Sequence, residues 1–376
     1  MKKRIIVLLA LAALLLPLFG CAAAGEGKSY PVEEYRTTMQ YYDDFKVMQL
    51  TDLHFGIETD VALQLRILTS EIREEQPDLI VLTGDNFMYA SKGVVNSLVS
   101  ALNEVCKEIT AERKGRLTKF TMTFGNHDNQ GDYPRYYINQ VISSYATEDG
   151  REITDGKFAA FVDYEDDSLF GLTNFYIDLV DDRTKPRDTV DVKYRLHIID
   201  SNTYHFKGPG YGYDVIHGDQ LDHAQKIYSE ATADKSYVGM AFFHIPFYEY
   251  EDAGEEYKNA ADPSAIGRGE YREGISYAYE NNGSFEKLRR ANIVAFFCGH
   301  DHVNCAEIIY RADDPAMRSI LSYGVKGTNQ LYHDKDLMGY KVITLRDITA
   351  EEFVSMKNIE ENIKNVTGGY SNYENK

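Results

Sequence analysis

Cysteine is scarce in this chain: four copies in 376 residues, with no Cys-x-x-Cys pair among them. That excludes a closed tetrahedral zinc knot built on paired thiolates. Besides Cys21, the cysteines Cys106, Cys298 and Cys305 form an odd, sparse set, so no disulfide framework follows. Cys298 lies inside the apolar run IVAFFC and reads as a small buried hydrophobe. Positive charge is also short. Forty Lys and Arg face 59 Asp and Glu, for a formal charge of −19, and such a chain repels a nucleic-acid backbone. No nucleic-acid partner is expected. The chain has no internal repeat of fixed period, and no Ser or Cys stands out as a nucleophile.

The first residues are the least globular. Met1-Lys2-Lys3-Arg4 is basic, residues 5–16 are apolar, and PLFGCAAA follows. This run is short for a membrane span and reads as a signal peptide over residues 1–20. Leu18-Phe19-Gly20-Cys21 resembles a bacterial lipobox, which implies cleavage before Cys21 and lipidation of that residue. The expectation is an extracytoplasmic lipoprotein anchored to the membrane through Cys21, with plain secretion as the alternative. Losing residues 1–20 takes away three basic groups and moves the charge from −19 to −22. Residues 21–44 read as an N-terminal tether. Residues 351–376 read as a C-terminal extension, partly disordered.

Between these ends one pattern recurs: an apolar run, a polar cluster, then a helical stretch. FKVMQL leads to TDLHFG. A helix is expected over 60–75, where Val61, Leu65, Leu68 and Ile72 form a stripe, and Pro77 ends it. DLIVLT leads to GDNF, a second helix is expected over 93–109, and FTMTF leads to GNHD. Later come RLHIID, a helix over 219–231, MAFF before HIP, and AFFC before GHDH. Continuous apolar strands favour a sheet covered by helices. The later runs alternate and suggest mixed or antiparallel pairing. The fold class is α/β: one domain over about 45–350, with two mixed β-sheets packed together and flanked by helices. Residues 247–291 are long, aromatic and acidic, and are expected to be an insertion forming a rim or lid.

Five polar clusters follow five strand-like runs: Asp52-x-His54, Gly84-Asp85, Gly125-Asn126-His127-Asp128, His244, and Gly299-His300-x-His302. In α/β sheets, ligands gather beyond the carboxyl ends of strands. Residues far apart in sequence therefore meet at one edge. Five of the ten histidines fall at these points, with carboxylates beside them. One histidine alone argues little; five imidazoles with Asp52, Asp85 and Asn126 at equivalent positions argue for metal. Mixed imidazole and carboxylate donors suit Fe, Mn or Zn, and eight groups exceed a single tetrahedral site. Tyrosine is abundant, 29 copies, so an aromatic by itself argues nothing.

These five motifs, in this order across residues 46–303, resemble the calcineurin-like metallophosphoesterases. The stretch Gly212-Tyr213-Asp214, with Gln220 and the later Glu273-Gly274-Ile275, is similar to bacterial and fungal phosphatases and to purple-acid-phosphatase-like proteins. The resemblance implies a four-layer αββα sandwich and hydrolysis of a small phosphate ester, monoester or diester, by a hydroxide activated between two transition metals (Fe, Mn or Zn). It implies that Asp52, His54 and His302 hold one metal, that Asn126, His244 and His300 hold the other, and that Asp85 bridges them. His127 is then the acid or phosphate-stabilising residue, and Asp128 orients it. The alternative is a metal-bearing binding lipoprotein that is catalytically idle. The sequence departs from the purple acid phosphatases at Gly-Asp-x-x-Tyr: Met88 holds the Tyr position and Tyr89 comes one residue late, so no tyrosinate ligand is expected. Tyr133 and Arg135 read mainly as surface residues. His205, Tyr211, Tyr213 and His217 are candidates to line the pocket.

Overall fold

Apolar runs that end in Gly, Asp and His become parallel strands here. The computed structural model describes residues 32–57, 60–146, 156–162, 169–186, 189–206, 212–231 and 234–368. Strand β1 (Arg36–Gln40) precedes β2 (Phe45–Leu50), α1 (Val61–Glu75), β3 (Leu79–Thr83), α2 (Lys92–Glu112), β4 (Lys119–Thr123) and α3 (Arg135–Ser143). Asp60 accepts from the Leu63 N–H and caps α1; Ser91 does the same for α2 through Val94, satisfying donors that a helix start leaves unpaired. Then follow β5 (Asn174–Val180), β6 (Val192–Ile199), the two-residue strands β7 (Tyr204–His205) and β8 (Gly212–Tyr213), and α4 (Gly218–Glu230). The chain continues through β9 (Val238–Phe242), α5 (Glu249–Asn259), β10 (Gly267–Arg268), α6 (Ser284–Arg290), β11 (Ile293–Cys298), β12 (Glu307–Tyr310) and β13 (Ser319–Tyr323). It closes with β14 (Gly339–Leu345), α7 (Ala350–Phe353), α8 (Met356–Asn362) and β15 (Ile363–Thr367).

Two mixed sheets result. One has five strands in the order β15-β14-β2-β3-β4, the other eight in the order β1-β5-β6-β9-β11-β13-β12-β10. In the first, β2, β3 and β4 are parallel; in the second, β6, β9, β11 and β13 are. Buried polar contacts tie the sheets together. Gln49 on β2 donates to the Cys298 carbonyl on β11 at 2.9 Å, and Thr123 on β4 donates to the Ile199 carbonyl on β6 at 2.9 Å. Helices α4, α5 and α6 cover the larger sheet, burying Leu221, Tyr250, Ala253, Phe285 and Leu288 against Ala241, Phe296, Ile308 and Leu321. The fold is the expected four-layer αββα arrangement, and it stacks the carboxyl ends of both parallel sets along one edge.

The observed elements reach beyond the 45–350 span. Part of the stretch read as a tether forms β1, which pairs with β5, and part of the C-terminal extension forms β15, which pairs with β14. The 247–291 stretch behaves differently from a lid. Its α5 and α6 are core cover, and only the segment between them runs past the metal-ligand loops. An acidic helix looks loop-like in sequence, yet one buried face of Tyr250, Ala253 and Gly254 is enough to dock α5.

The expected signal peptide and lipidated Cys21 lie outside the described residues. Among the described residues no helix is long and apolar enough to cross a membrane, and Cys106, Cys298 and Cys305 are buried free thiols. The lipoprotein and membrane-anchor expectation is corrected accordingly: the described chain offers neither a spanning helix nor an accessible cysteine to carry an anchor.

Candidate metal centre

Five strand ends deliver the polar set. β2 runs into Asp52 and His54, β3 into Asp85, β4 into Asn126 and His127, β9 into His244, and β11 into His300 and His302. Two triads form. Asp52, His54 and His302 bring one donor atom each within 4.8 Å of one another, as do Asp85, His244 and His300, and all six residues are buried. Asp85 stands between the two. Its Oδ2 lies 3.2 Å from His244 Nε2 and 3.9 Å from His54 Nε2, one histidine of each triad.

Convergence strains the backbone. Asp52, His54, Asp85 and His300 have φ of 54°, 48°, 49° and 81°, a region that non-glycine residues enter at a cost and that collects at functional sites. Neighbouring loops hold them there. The Asp52 N–H donates to the Gly84 carbonyl and the His54 N–H to the Asp85 carbonyl. The buried Lys326 ammonium donates to the Asp52 carbonyl at 2.9 Å, and Thr328 to that of Leu53 at 2.7 Å. Gly84 takes a positive φ of 88°, while Gly125 and Gly299 serve closeness rather than dihedral freedom. A Cβ on Gly125 would lie 2.2 Å from Asp85 Oδ1, and one on Gly299 would lie 2.0 Å from Thr51 Oγ1.

Asp52, Asp85, Asn126, His244 and His302 are each fixed by one atom and leave another for the centre, whereas His54 Nδ1 and His300 Nε2 have no hydrogen-bond partner. Asp52 Oδ2 accepts from Thr51 Oγ1 and the His300 N–H, while Oδ1 is buried without a partner. Asp85 Oδ1 accepts the His127 N–H at 2.7 Å, leaving Oδ2 to the histidines. The Nδ1 of His244 meets the Thr83 carbonyl and that of His302 meets the Tyr332 carbonyl, so Nε2 faces inward in both. Asn126 Nδ2 donates to the Tyr204 hydroxyl at 2.7 Å, and its Oδ1 has no partner. Second contacts of this kind orient ligands. The His54 and His302 Nε2 atoms face each other at 3.1 Å, and His300 Nδ1 faces His244 Nε2 at 3.3 Å. Opposed ring nitrogens beside carboxylate and amide oxygens that lack hydrogen-bond partners are what a pair of cations would satisfy, so the donor set fits a dinuclear metal site.

Electrostatics favour ionised carboxylates and, at two of the histidines, neutral imidazoles. Burial opposes charge on Asp52 and Asp85, but the surrounding histidines outweigh it and hold both carboxyls well below their usual range. Burial, reinforced by Lys326 for His54 and by His244 for His300, pushes both imidazoles down, His300 to about 3. His244 moves the other way, to about 9, because the Asp85 carboxylate overcomes its burial.

His127 belongs to neither triad. Its ring stands 5.2 Å from that of His54, its Nε2 is 4.0 Å from Asp85 Oδ2, and Nδ1 meets Gln130 Oε1 at 3.0 Å. The expected clamp of Asp128 on His127 is not what the hydrogen bonds draw. Asp128 accepts from the Phe87 N–H at 2.7 Å and the Gly125 N–H at 2.8 Å, with Asn86 at 3.3 Å, so it braces the loop. Its carboxyl is raised to about 8, first by burial and then by Asp85.

Other candidates sort by contact. Tyr213 packs edge-on against His300 at 4.2 Å. His217 pairs with Asp214 and stacks on Phe170, and His205 stacks on Tyr279. Tyr211 lies outside the described residues. Arg135 is not a free surface group; it is bonded to Asp200 through both carboxylate oxygens. Tyr89 is exposed, consistent with a centre that has no tyrosinate. Sequence reasoning missed Tyr204, Tyr332, Gln130 and Lys326. For Tyr204 and Tyr332 the abundance of tyrosine hid the role; for Lys326 no motif marks a lysine that serves a carbonyl. A separate cavity of about 650 Å³, lined by Arg318, Arg346, Lys357 and Glu361 among others, borders none of the ligand residues.

Residues 45–304 match the calcineurin-like phosphoesterase family. The phosphatase DCR2 of Saccharomyces cerevisiae is 26% identical over 315 residues, covering 79% of this chain and 50% of that protein. The probable inactive purple acid phosphatase 29 of Arabidopsis thaliana is 29% identical over 294 residues, covering 70% of this chain and 69% of the relative. The chain thus spans half the length of the yeast protein. A solved dimetal phosphatase from Danio rerio aligns over 81% of this chain and 93% of its own, with 13% identity and a TM-score of 0.44.

Proposed function

Because the chain belongs to the calcineurin-like phosphoesterase family, matched over residues 45–304, we propose that it hydrolyses a small phosphate ester at a pair of transition-metal ions. The observation that carries this reading is the two buried triads with Asp85 between them. Asp52, His54 and His302 would hold one ion and Asn126, His244 and His300 the other, with Asp85 shared. Imidazole and carboxylate donors suit Fe, Mn or Zn, and the missing tyrosine ligand disfavours a purple ferric centre. Such ions, when bound, neutralise phosphoryl oxygens and acidify water.

The chain's own residues supply position and protons. The backbone bonds described above hold the donors convergent before any ligand arrives, which lowers the cost of organising the transition state. Gln130 fixes His127 at Nδ1 and leaves Nε2 for the substrate. In the reaction a water oxygen bonds to phosphorus, the bond from phosphorus to the leaving oxygen breaks, and that oxygen takes a proton from His127 Nε2. The water's proton passes to solvent, which then restores His127. No covalent phosphoenzyme is required.

A second reading is a metal-bearing binding protein without turnover. It is favoured by the relative described as probably inactive and by Asp128 bracing the loop rather than His127. Hydrolysis of p-nitrophenyl phosphate and its bis ester by metal-loaded protein separates the readings. His127→Ala should keep both metals, measured by elemental analysis, and lose roughly a hundredfold or more in kcat. Phosphate binding without turnover by the unmodified protein would establish the idle reading instead.

A further inference from the structure

Among the described residues, the large hydrophobic side chains that remain exposed are Tyr89, Tyr136, Phe170, Phe206, Leu331 and Tyr332. Five lie on loops and Tyr136 lies in the first turn of α3, all following or preceding the strand ends that carry the metal-ligand clusters. Tyr89 follows Asp85 by four residues, Tyr136 opens the helix after the His127 loop, and Phe170 precedes β5 where it pairs with the end of β6. Phe206 follows β7, and Leu331 and Tyr332 lie between β13 and β14. Single exposed apolar residues need no explanation, but confinement of all of them to one rim does.

Three of the rings are tied by contact to residues of the site or of its loops. Tyr332, 57% exposed, stacks on the His302 ring at 4.2 Å and 23°. Phe206, 71% exposed, lies 5.8 Å from Tyr204, the residue that holds Asn126. Tyr89, 60% exposed, meets the backbone of the His127 loop at Gly131, where an added Cβ would lie 3.0 Å from the Tyr89 Cα. The charged groups beside these rings do not favour a second anion. Arg135 is bonded to Asp200, Arg272 to Glu270 and Asp334, and the Tyr332 hydroxyl lies against Glu273.

We propose that this rim receives the leaving group, and that the substrate class is phosphate esters of a planar apolar ring, aryl or arylalkyl, without further phosphates. The proposal rests on the phosphoesterase reading and gives that site its specificity. Aromatic faces attract planar rings beyond the area they cover, whereas a polyphosphate would bring charge to a rim whose arginines are already engaged.

Phosphonates test this without leaving-group chemistry. With metal-loaded protein, benzylphosphonate should bind at least tenfold tighter than methylphosphonate, and tighter than heptylphosphonate, which has the same carbon count but no ring. The double variant Phe206→Ser with Tyr89→Asn should erase most of the benzyl advantage and leave methylphosphonate affinity and the melting temperature unchanged. Equal binding of benzyl- and methylphosphonate overturns the proposal while the phosphoesterase reading stands, and so does a benzyl advantage that survives in a folded double variant. Heptylphosphonate binding as tightly as benzyl overturns the planar-ring assignment. Absence of any phosphonate or inorganic phosphate binding, together with absence of hydrolysis, overturns both.

Discussion

Removing a single hydroxyl, in Tyr204→Phe, should weaken one metal site and spare the other. The Asn126 amide is 2% exposed, and its Nδ2 donates to the Tyr204 hydroxyl at 2.7 Å while Oδ1 has no partner. Without the hydroxyl, Nδ2 loses its acceptor and the amide is free to turn its Oδ1 away from His244 and His300. A neutral hydrogen bond contributes about 1 kcal/mol, and losing a group that orients a metal ligand typically costs ~10–100-fold in affinity. Phenylalanine keeps the ring contacts with Tyr213 and Phe206, so the hairpin should remain folded. Calorimetric titration of metal-free protein with Mn or Zn, with elemental analysis of stoichiometry, reads the outcome. The wild type should bind two ions; the variant should bind one with unchanged affinity and the second about tenfold or more weaker. Two unchanged affinities, or two weakened equally, would refute the assignment of Tyr204 to Asn126.

Gly299→Ala should abolish metal binding at the Asp52 triad, because the new Cβ would meet Thr51 Oγ1 at 2.0 Å and Asp52 Oδ2 at 2.9 Å; Gly274→Ala, with nothing within 4 Å, should titrate like wild type. Glu71, 7% exposed on α1, has its carboxyl pushed up to about 7 by burial and then by Glu74, from 4.5. The native state therefore holds that proton more tightly than the unfolded chain does, and stability falls as pH rises from 4.5 through 7. Glu71→Gln should raise stability by about 3 kcal/mol at pH 8 and by little at pH 4 in denaturant melts, and a pH-independent effect would contradict the burial argument. Asp128→Asn offers one acceptor oxygen where two N–H donors, of Phe87 and Gly125, now find one each. The melting temperature should fall, at a cost of about 1–3 kcal/mol, and both metals should weaken; an intact fold with only the pH–rate profile shifted would show Asp128 acting on His127 after all.

The strands that lead into the five clusters were legible because each apolar run is long enough for a buried strand and ends in a polar cluster with Gly, Asp or His; the order of strands within each sheet was not read. Helices α1 and α2 were legible from their amphipathic patterns, with Pro77 marking the end of α1; the Ser91 cap and the true ends of α2 were not read. The ligand set was legible because five polar clusters follow five strand-like runs in one order, and its division between two metals came from the family resemblance rather than from any single motif. What escaped was everything that depends on tertiary approach. The sequence of α5 reads as an acidic loop until Tyr250 and Ala253 find the larger sheet. β1 has no motif, and its place at the sheet edge depends on a buried ion pair between Arg36 and Asp178, which also binds Arg195. Tyr204, Tyr332 and Lys326 act through one hydroxyl, one carbonyl and one ammonium, contacts that no spacing rule encodes.

The neighbouring residues Asn126 and His127 show why side-chain type alone did not settle the roles in the site. Asn126 turns inward, held by Tyr204. His127 turns along the surface of the cleft, held by Gln130, yet its backbone N–H reaches back to Asp85 Oδ1 at 2.7 Å. One peptide unit thus sets both the carboxylate between the triads and the imidazole beside them. This loop can approach so closely only because Gly125 lacks a Cβ and because Asp128 ties the Gly125 and Phe87 N–H groups together. Asp128, expected to orient the His127 ring directly, instead fixes the turn from which the Asn126 and His127 side chains diverge.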